Sequence, residues 1–361
     1  MRGSILPGSA LSHRERVLLA LEHRDTDRIP ISMICSGVNE PAVLERYLRE
    51  TRGIGMEEYF APIIDVVQVR PGYIGPPLRE GEDFWSVVRK KVSYGAGEYD
   101  EIDYYPLAGA KDVGDLRDFR WPSPDWFDYG GIRDQIREVN ADGERCIMIK
   151  GGSIFETTWY MRGFEQTFMD MVLAPELILY IMERVADFYA AHSDRVLSAA
   201  GDLVDLMFTG DDIGHQQGLL LSLEMWETFI KPHHVRLNEV IHSHGARVIY
   251  HSDGAVMEAV PGIVDMGADI LQALQFDAVG MDPVKLKENW GDRLSFAGGV
   301  SVQKTLPFGA VDDVRREVRE RIAVLGRNGG YILGPSHAIQ AGTPPENIAA
   351  LFDTALSSLL Q

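Results

Sequence analysis

Short apolar runs alternate with longer amphipathic stretches through most of this 361-residue chain, and that alternation leaves few folds open. Parallel strands cannot be joined by tight turns. Each pair needs a crossover of a dozen or more residues, usually a helix, so the pattern points to a parallel sheet with helices packed on it. The apolar runs at 29–34, 64–70, 146–152, 203–209, 247–251, 270–275, 294–299 and 330–334 are the expected strands. Helical spacing of apolar residues predicts helices at 14–22, 175–200, 224–244 and 311–325. Eight strands alternating with helices predict an α/β fold, a closed (β/α)8 TIM barrel rather than an open sheet.

Residues 1–27 read as an N-terminal extension and helix leading into a single barrel over 28–361. Between the second and third strands, 84–107 alternates apolar and polar residues on either side of Gly95 and Gly97, which predicts a β-hairpin excursion. Neither a fixed-period repeat nor a long flexible linker divides the chain.

In such a fold, binding and catalysis sit where strands end and βα loops begin, because that rim is the concave surface the architecture provides. Six successive strand exits carry Gly together with acids, amides or histidines: GGSIFETTWYMRG, GDDIGHQQG, HSDG, Gln275, GGVSVQ and GPSHAIQ. Such a density of polar groups argues against a catalytically silent barrel that only binds a small ligand, since a scaffold gains nothing by burying them.

Charge narrows the ligand classes. With 54 acidic against 35 basic residues the formal charge is −19, a field that repels phosphate backbones and anionic lipid surfaces. A nucleic-acid or membrane partner is therefore not expected. Two cysteines, Cys35 and Cys146, form neither a disulfide framework nor a CxxC knuckle, which suits a reducing cytoplasm. The N-terminal segment has no continuous apolar core, and no window approaches the roughly 18 apolar residues of a membrane span. Nucleotide loops of the GxGxxG or GxxxxGK[ST] type and the GxSxG elbow are absent.

His251 and Asp253 stand two apart at a strand end, so period-two alternation lets them project to the same side. Joined by His337 from the last strand they would form a two-nitrogen, one-carboxylate set with a position left for substrate, as catalytic zinc sites have. A hydrogen-bonded His–Asp pair, or general acid/base use without metal, is the other reading of the same spacing. Asp211 and Asp212 are adjacent acids beside a glycine-flanked turn. One is expected to face the cavity, the other to cap a helix or meet solvent. Glu156 is either a pocket carboxylate or a first-turn acid that favours the helix dipole. Together, His337, Asp211, Asp212 and Glu156 form the expected catalytic set. Gln216, Gln275 and Gln340 are expected to hydrogen-bond a ligand, and Arg70 to contact it. His215, His233, His234, His242 and His244 fall on predicted helices or helix entries, where structural or surface roles are expected.

The segments RERVLLALEHRDTDRIPI, GDDIGHQQGLLLSLEMWETFIKPHHVRLNEVIHSHG, YHSDG, FAGGVSVQKTLPFG and GGYILGPSHAIQAGTPPENI resemble the uroporphyrinogen decarboxylase-like superfamily. That superfamily contains the haem-pathway decarboxylase and the zinc-dependent, corrinoid-linked methyltransferases of methanol, methylamine and methoxy-compound metabolism. The resemblance runs over essentially the whole chain. It implies a homodimer and a pocket aromatic near Trp159 or Tyr160.

Against the decarboxylase, the arginine-rich loop after the first strand is replaced by MICSGVNEPAVLERY, and the catalytic aspartate after the second strand has no counterpart in VQVRPGY. His337 does match the decarboxylase's last-strand histidine. Binding eight carboxylates without that arginine loop, on a chain of charge −19, is not expected. Against the methyltransferases, the HxC pair and the late cysteine that bind zinc are matched by His251, Asp253 and His337. Replacing both thiolates either abolishes the metal site or leaves a harder donor set and a stronger Lewis acid, suited to an oxygen substrate rather than a thiol. The resemblance thus implies methyl transfer from an oxygen-containing small molecule, with zinc on this chain and a corrinoid on a separate partner protein. A metal-independent decarboxylase or other lyase acting on a small carboxylate is the alternative.

Overall fold

The computed structural model describes residues 11–34, 37–93 and 98–358, so Cys35 lies outside the described residues. Among the described residues seven parallel strands alternate with helices in a TIM-barrel-like α/β order: β1 (Val66–Val69), β2 (Cys146–Gly152), β3 (Leu206–Gly210), β4 (Arg247–His251), β5 (Ile270–Gln272), β6 (Ser295–Val300) and β7 (Tyr331–Pro335). The chain forms two compact units, one of residues 1–67, 140–147 and 282–361, the other of 68–139 and 148–281.

In the first unit β6 pairs with β7 in parallel, from Phe296↔Tyr331 to Val300↔Pro335. The eighth strand expected at 29–34 is reduced to a single parallel bridge between Ile31 and Leu333. At the bridge Leu333 N donates to Pro30 O at 2.8 Å and Ser32 N to Leu333 O at 2.9 Å, and the ladder goes no further. Pro30 has no N–H, and the Ile31 N–H goes to Asp65 Oδ2 at 2.7 Å. Asp65 is fully buried and also accepts from Arg16 Nη1 and Arg28 Nη1, each at 2.7 Å, with His13 Nδ1 at 2.7 Å. The two guanidinium partners offset the cost of a carboxylate in the interior and tie the first helix to the bridge region. That helix, His13–Leu21, begins at a reciprocal cap: Ser12 Oγ accepts from Glu15 N and Glu15 Oε2 from Ser12 N.

In the second unit β2 pairs with β3, β3 with β4 and β4 with β5, all in parallel. Helix Pro175–Ala200 spans the predicted residues and buries Leu177, Ile178, Ile181, Met182 and Val185 along one face. The single helix expected at 224–244 is instead two, Leu223–Phe229 and Lys231–Ser243. Pro232 lacks the donor an uninterrupted helix needs, so the break falls just before it, at Ile230. Two expected strands are also trimmed: 203–209 begins at Leu206, after a tight turn at Gly201–Leu203, and 270–275 stops at Gln272. Strands Val88–Ser93 and Glu98–Tyr104 pair antiparallel. The expected turn around Gly95 and Gly97 falls outside the described residues. Among the described residues no helix is long and apolar enough to cross a membrane.

Candidate functional site

The exits of β3, β4 and β5 in the second unit bring together a histidine, three carboxylates and two amides. Gly210 ends β3 and carries no side chain, because a Cβ there would lie 2.4 Å from the His251 carbonyl oxygen. This close approach lets the ladder continue one step, with Asp211 N donating to His251 O at 3.0 Å.

The adjacent acids part at this point. Asp211 is fully buried: one carboxylate oxygen lies 2.6 Å from His234 Nε2 and the other accepts from the Glu156 N–H at 2.9 Å. His234, also fully buried, sits on helix Lys231–Ser243 with its ring edge-on to Tyr250 at 5.1 Å. Asp211 therefore anchors the first turn of the Ile154–Arg162 helix. Asp212 turns the other way. Its Oδ1 accepts from Asp253 N at 2.8 Å and lies 3.5 Å from His251 Nε2.

His251 closes β4. Its Nδ1 faces the Gln272 Oε1, supplied by the residue directly opposite in β5. An amide oxygen there accepts, so Nδ1 carries the hydrogen and the Nε2 lone pair points away. Nε2 meets Asp212 Oδ1 at 3.5 Å and Asp253 Oδ1 at 3.9 Å. A lone pair facing two carboxylate oxygens is unfavourable unless a proton or a metal cation stands among them. Burial, then the charge of Asp212, pushes the Asp253 carboxyl up to about 6, while His251 and the Gln275 side chain pull the other way. Gln275 Oε1 also accepts from Gly254 N at 3.0 Å, which fixes the turn after Asp253.

Glu156 lies in the first helical turn and accepts from Tyr160 OH at 2.8 Å. Burial, followed by the charges of Asp212 and Asp211, raises its carboxyl to about 8, so it holds a proton at neutral pH. Trp159 packs edge-on against Tyr160 at 4.1 Å, and the Arg89 guanidinium stands 4.9 Å from the Tyr160 ring centroid.

Arg70, just past β1, is exposed. Gln216 is exposed, and its backbone oxygen accepts from Val279 N at 2.9 Å. In the first unit Gln340 is exposed and bonded to Asn39 Nδ2 and to Ala338 O. His337, half-buried, stands two residues past the end of β7 in that unit. His242 and His244 form surface pairs with Asp269 and Asp194.

Sequence reasoning missed Gln272 and the role of His234. Gln272 becomes recognisable only from the lateral register of β5 against β4, and His234 only when its helix is laid against β3.

Residues 91–357 match the uroporphyrinogen decarboxylase (URO-D) family. A uroporphyrinogen decarboxylase of Crocosphaera subtropica (strain ATCC 51142 / BH68) is 24% identical over 185 residues, which make up 50% of this chain and 48% of that protein. The chain thus matches about half the length of this curated relative. A methyltransferase from Methanosarcina mazei has a similar fold, with a TM-score of 0.69 at 17% identity, covering 96% of this chain and 98% of the other. With the family match extending over well more than half of its length, the chain belongs to the uroporphyrinogen decarboxylase (URO-D) family.

Proposed function

We propose that this member of the family is a methyltransferase component that takes a methyl group from a methoxy or hydroxy small molecule and passes it to a corrinoid carried by a partner protein. The observation that carries the reading is the His251 imidazole, held at Nδ1 by Gln272 with Nε2 turned to the carboxylates of Asp212 and Asp253. A neutral nitrogen donor beside a carboxylate, oriented by an amide behind it, is the donor chemistry of a catalytic zinc site. The residues fit. His251 and Asp253 would hold the ion, and the resemblance to the zinc methyltransferases supplies His337 as the third donor.

When bound, zinc supplies a Lewis acid for the oxygen of the substrate. The chain's own groups do the rest. Gln272 fixes the imidazole tautomer, and Asp212 holds the Asp253 backbone N–H. Glu156, protonated at neutral pH, delivers a proton to the oxygen that loses its methyl group. The homodimer implied by the resemblance belongs to the same proposal.

The test uses the purified full chain loaded with zinc, a panel of methanol and methoxyarenes, and free cob(I)alamin as acceptor. Formation of methylcobalamin is followed by its visible spectrum. Zinc near one per chain, methyl transfer in the wild type, and loss of both in His251→Ala are expected. Full activity in the presence of a strong chelator would overturn the reading. The protonated Glu156 also favours a second reading, a metal-independent decarboxylase, for which carbon dioxide release from small carboxylates under chelation is the assay. Uroporphyrinogen is not expected to be turned over under either reading.

A further inference from the structure

The run Cys146–Gly152 is apolar except for one residue. Lys150 is the exposed position in a strand that otherwise buries nearly everything it carries. It stands opposite Phe208 in the β2–β3 register, and its Nζ lies 5.9 Å from the Phe208 ring centroid. The other neighbour of that ring is the His251 imidazole, at 5.4 Å between centroids and tilted by 34°. The ammonium and the imidazole therefore share one side of the β2–β3–β4 ladder, no more than about 11 Å apart.

Three acids at the strand exits have partners of their own. Asp211 is bonded to His234, Asp212 to the Asp253 backbone, and Glu156 to Tyr160. No carboxylate among the described residues forms an ion pair with Lys150, whose ammonium stands over the Phe208 ring. A cation beside an aromatic ring, on the same side of the sheet as the reactive cluster and with no ion-pair partner among the described residues, offers a charge to a ligand laid over that side.

We propose that Lys150 is the counter-ion for a carboxylate on the substrate, an inference that rests on the methyl-transfer reading above and deepens it by naming the substrate class. Phe208 would then support the substrate's apolar body, and the His251 cluster would receive its oxygen function. A separation of up to about 11 Å accommodates an aromatic acid whose methoxy group lies opposite the carboxylate on the ring. A carboxylate is favoured over a phosphate because one lysine matches a monoanion, whereas a phosphate dianion usually draws on arginine forks or several backbone N–H groups.

The test is calorimetric titration of zinc-loaded wild type, Lys150→Met and Lys150→Arg with 4-methoxybenzoate and with its neutral partner 4-methoxybenzamide. The wild type is expected to prefer the acid by roughly tenfold, as for a partly desolvated ion pair. Lys150→Met should lose that preference while binding the amide as before, and Lys150→Arg should restore most of it. Equal affinity for acid and amide in the wild type, unchanged acid binding in Lys150→Met, or no binding of either probe would overturn the proposal. Methyl transfer to cob(I)alamin, measured on the same proteins, separates the two readings. Acid preference without transfer leaves the carboxylate site standing and removes the methyltransferase. Transfer from the acid that is unaffected by Lys150→Met removes the carboxylate site alone.

Discussion

Replacing Glu156 with Gln removes a carboxyl whose proton the folded chain holds far more tightly than the unfolded chain does. Burial and the charges of Asp212 and Asp211 raise it from an ordinary value of 4.5 to about 8. The sign follows from linkage. A group that binds its proton more tightly when folded contributes stability that is fully present below about pH 4.5 and is lost as pH rises toward about 8, with no further change above. The interval sets a ceiling of about 4.8 kcal/mol. Relaxation around the residue, which as a whole is only part-buried, screens part of this and leaves a loss of roughly 2–4 kcal/mol between about pH 5 and pH 9.

Gln keeps the shape and can still accept from Tyr160 OH, but has no proton to lose. Urea unfolding followed by tryptophan fluorescence, with wild type and Glu156→Gln compared at each pH, isolates this group because other titrations cancel in the difference. The two proteins should be nearly equal near pH 5, and the variant should be the more stable by roughly 2–4 kcal/mol near pH 9. Curves that stay parallel across the range would refute the account of Glu156 as a carboxyl protonated at neutral pH.

Two further outcomes test the supports of the cluster. His234→Ala strands the buried Asp211 carboxylate without its 2.6 Å partner, and should cost about 3–5 kcal/mol in chemical denaturation. A loss below about 1 kcal/mol would show that the pair is not an anchor. Gln272→Leu frees the His251 ring and should weaken zinc binding about 10–100-fold in competition with a chromophoric chelator; unchanged affinity would show that the amide does not set the tautomer.

Much of the architecture was legible along the chain, because hydrophobic period and strand length are local properties. The limits of Cys146–Gly152, Arg247–His251, Pro175–Ala200 and Val311–Leu325 coincide with the expected ones. The failures have identifiable causes. At 29–34 the composition is that of a strand, yet only a bridge to Leu333 forms, and the Ile31 N–H goes to the side chain of Asp65, 34 residues away, instead of to a neighbouring strand. At 224–244 the helical period continues unbroken, and Pro232 divides it through a missing hydrogen bond that apolar spacing does not register.

For the site, the sequence by itself determined which chemical groups stand at the strand exits: His251 and Asp253 two apart, the adjacent Asp211 and Asp212, and Glu156 at the start of a helix. It left the roles within those groups open. Only the tertiary structure decided that Asp211 turns to His234 while Asp212 turns to His251, and that Gln272 rather than Gln216 stands beside the imidazole. It also turned Lys150 toward the Phe208 ring on the side where His251 lies. The reason is that side-chain alternation is written along each strand, whereas the residue facing it on the next strand depends on lateral register. Register is set by hydrogen bonds and packing between segments distant in sequence, and those contacts exist only once the chain has folded.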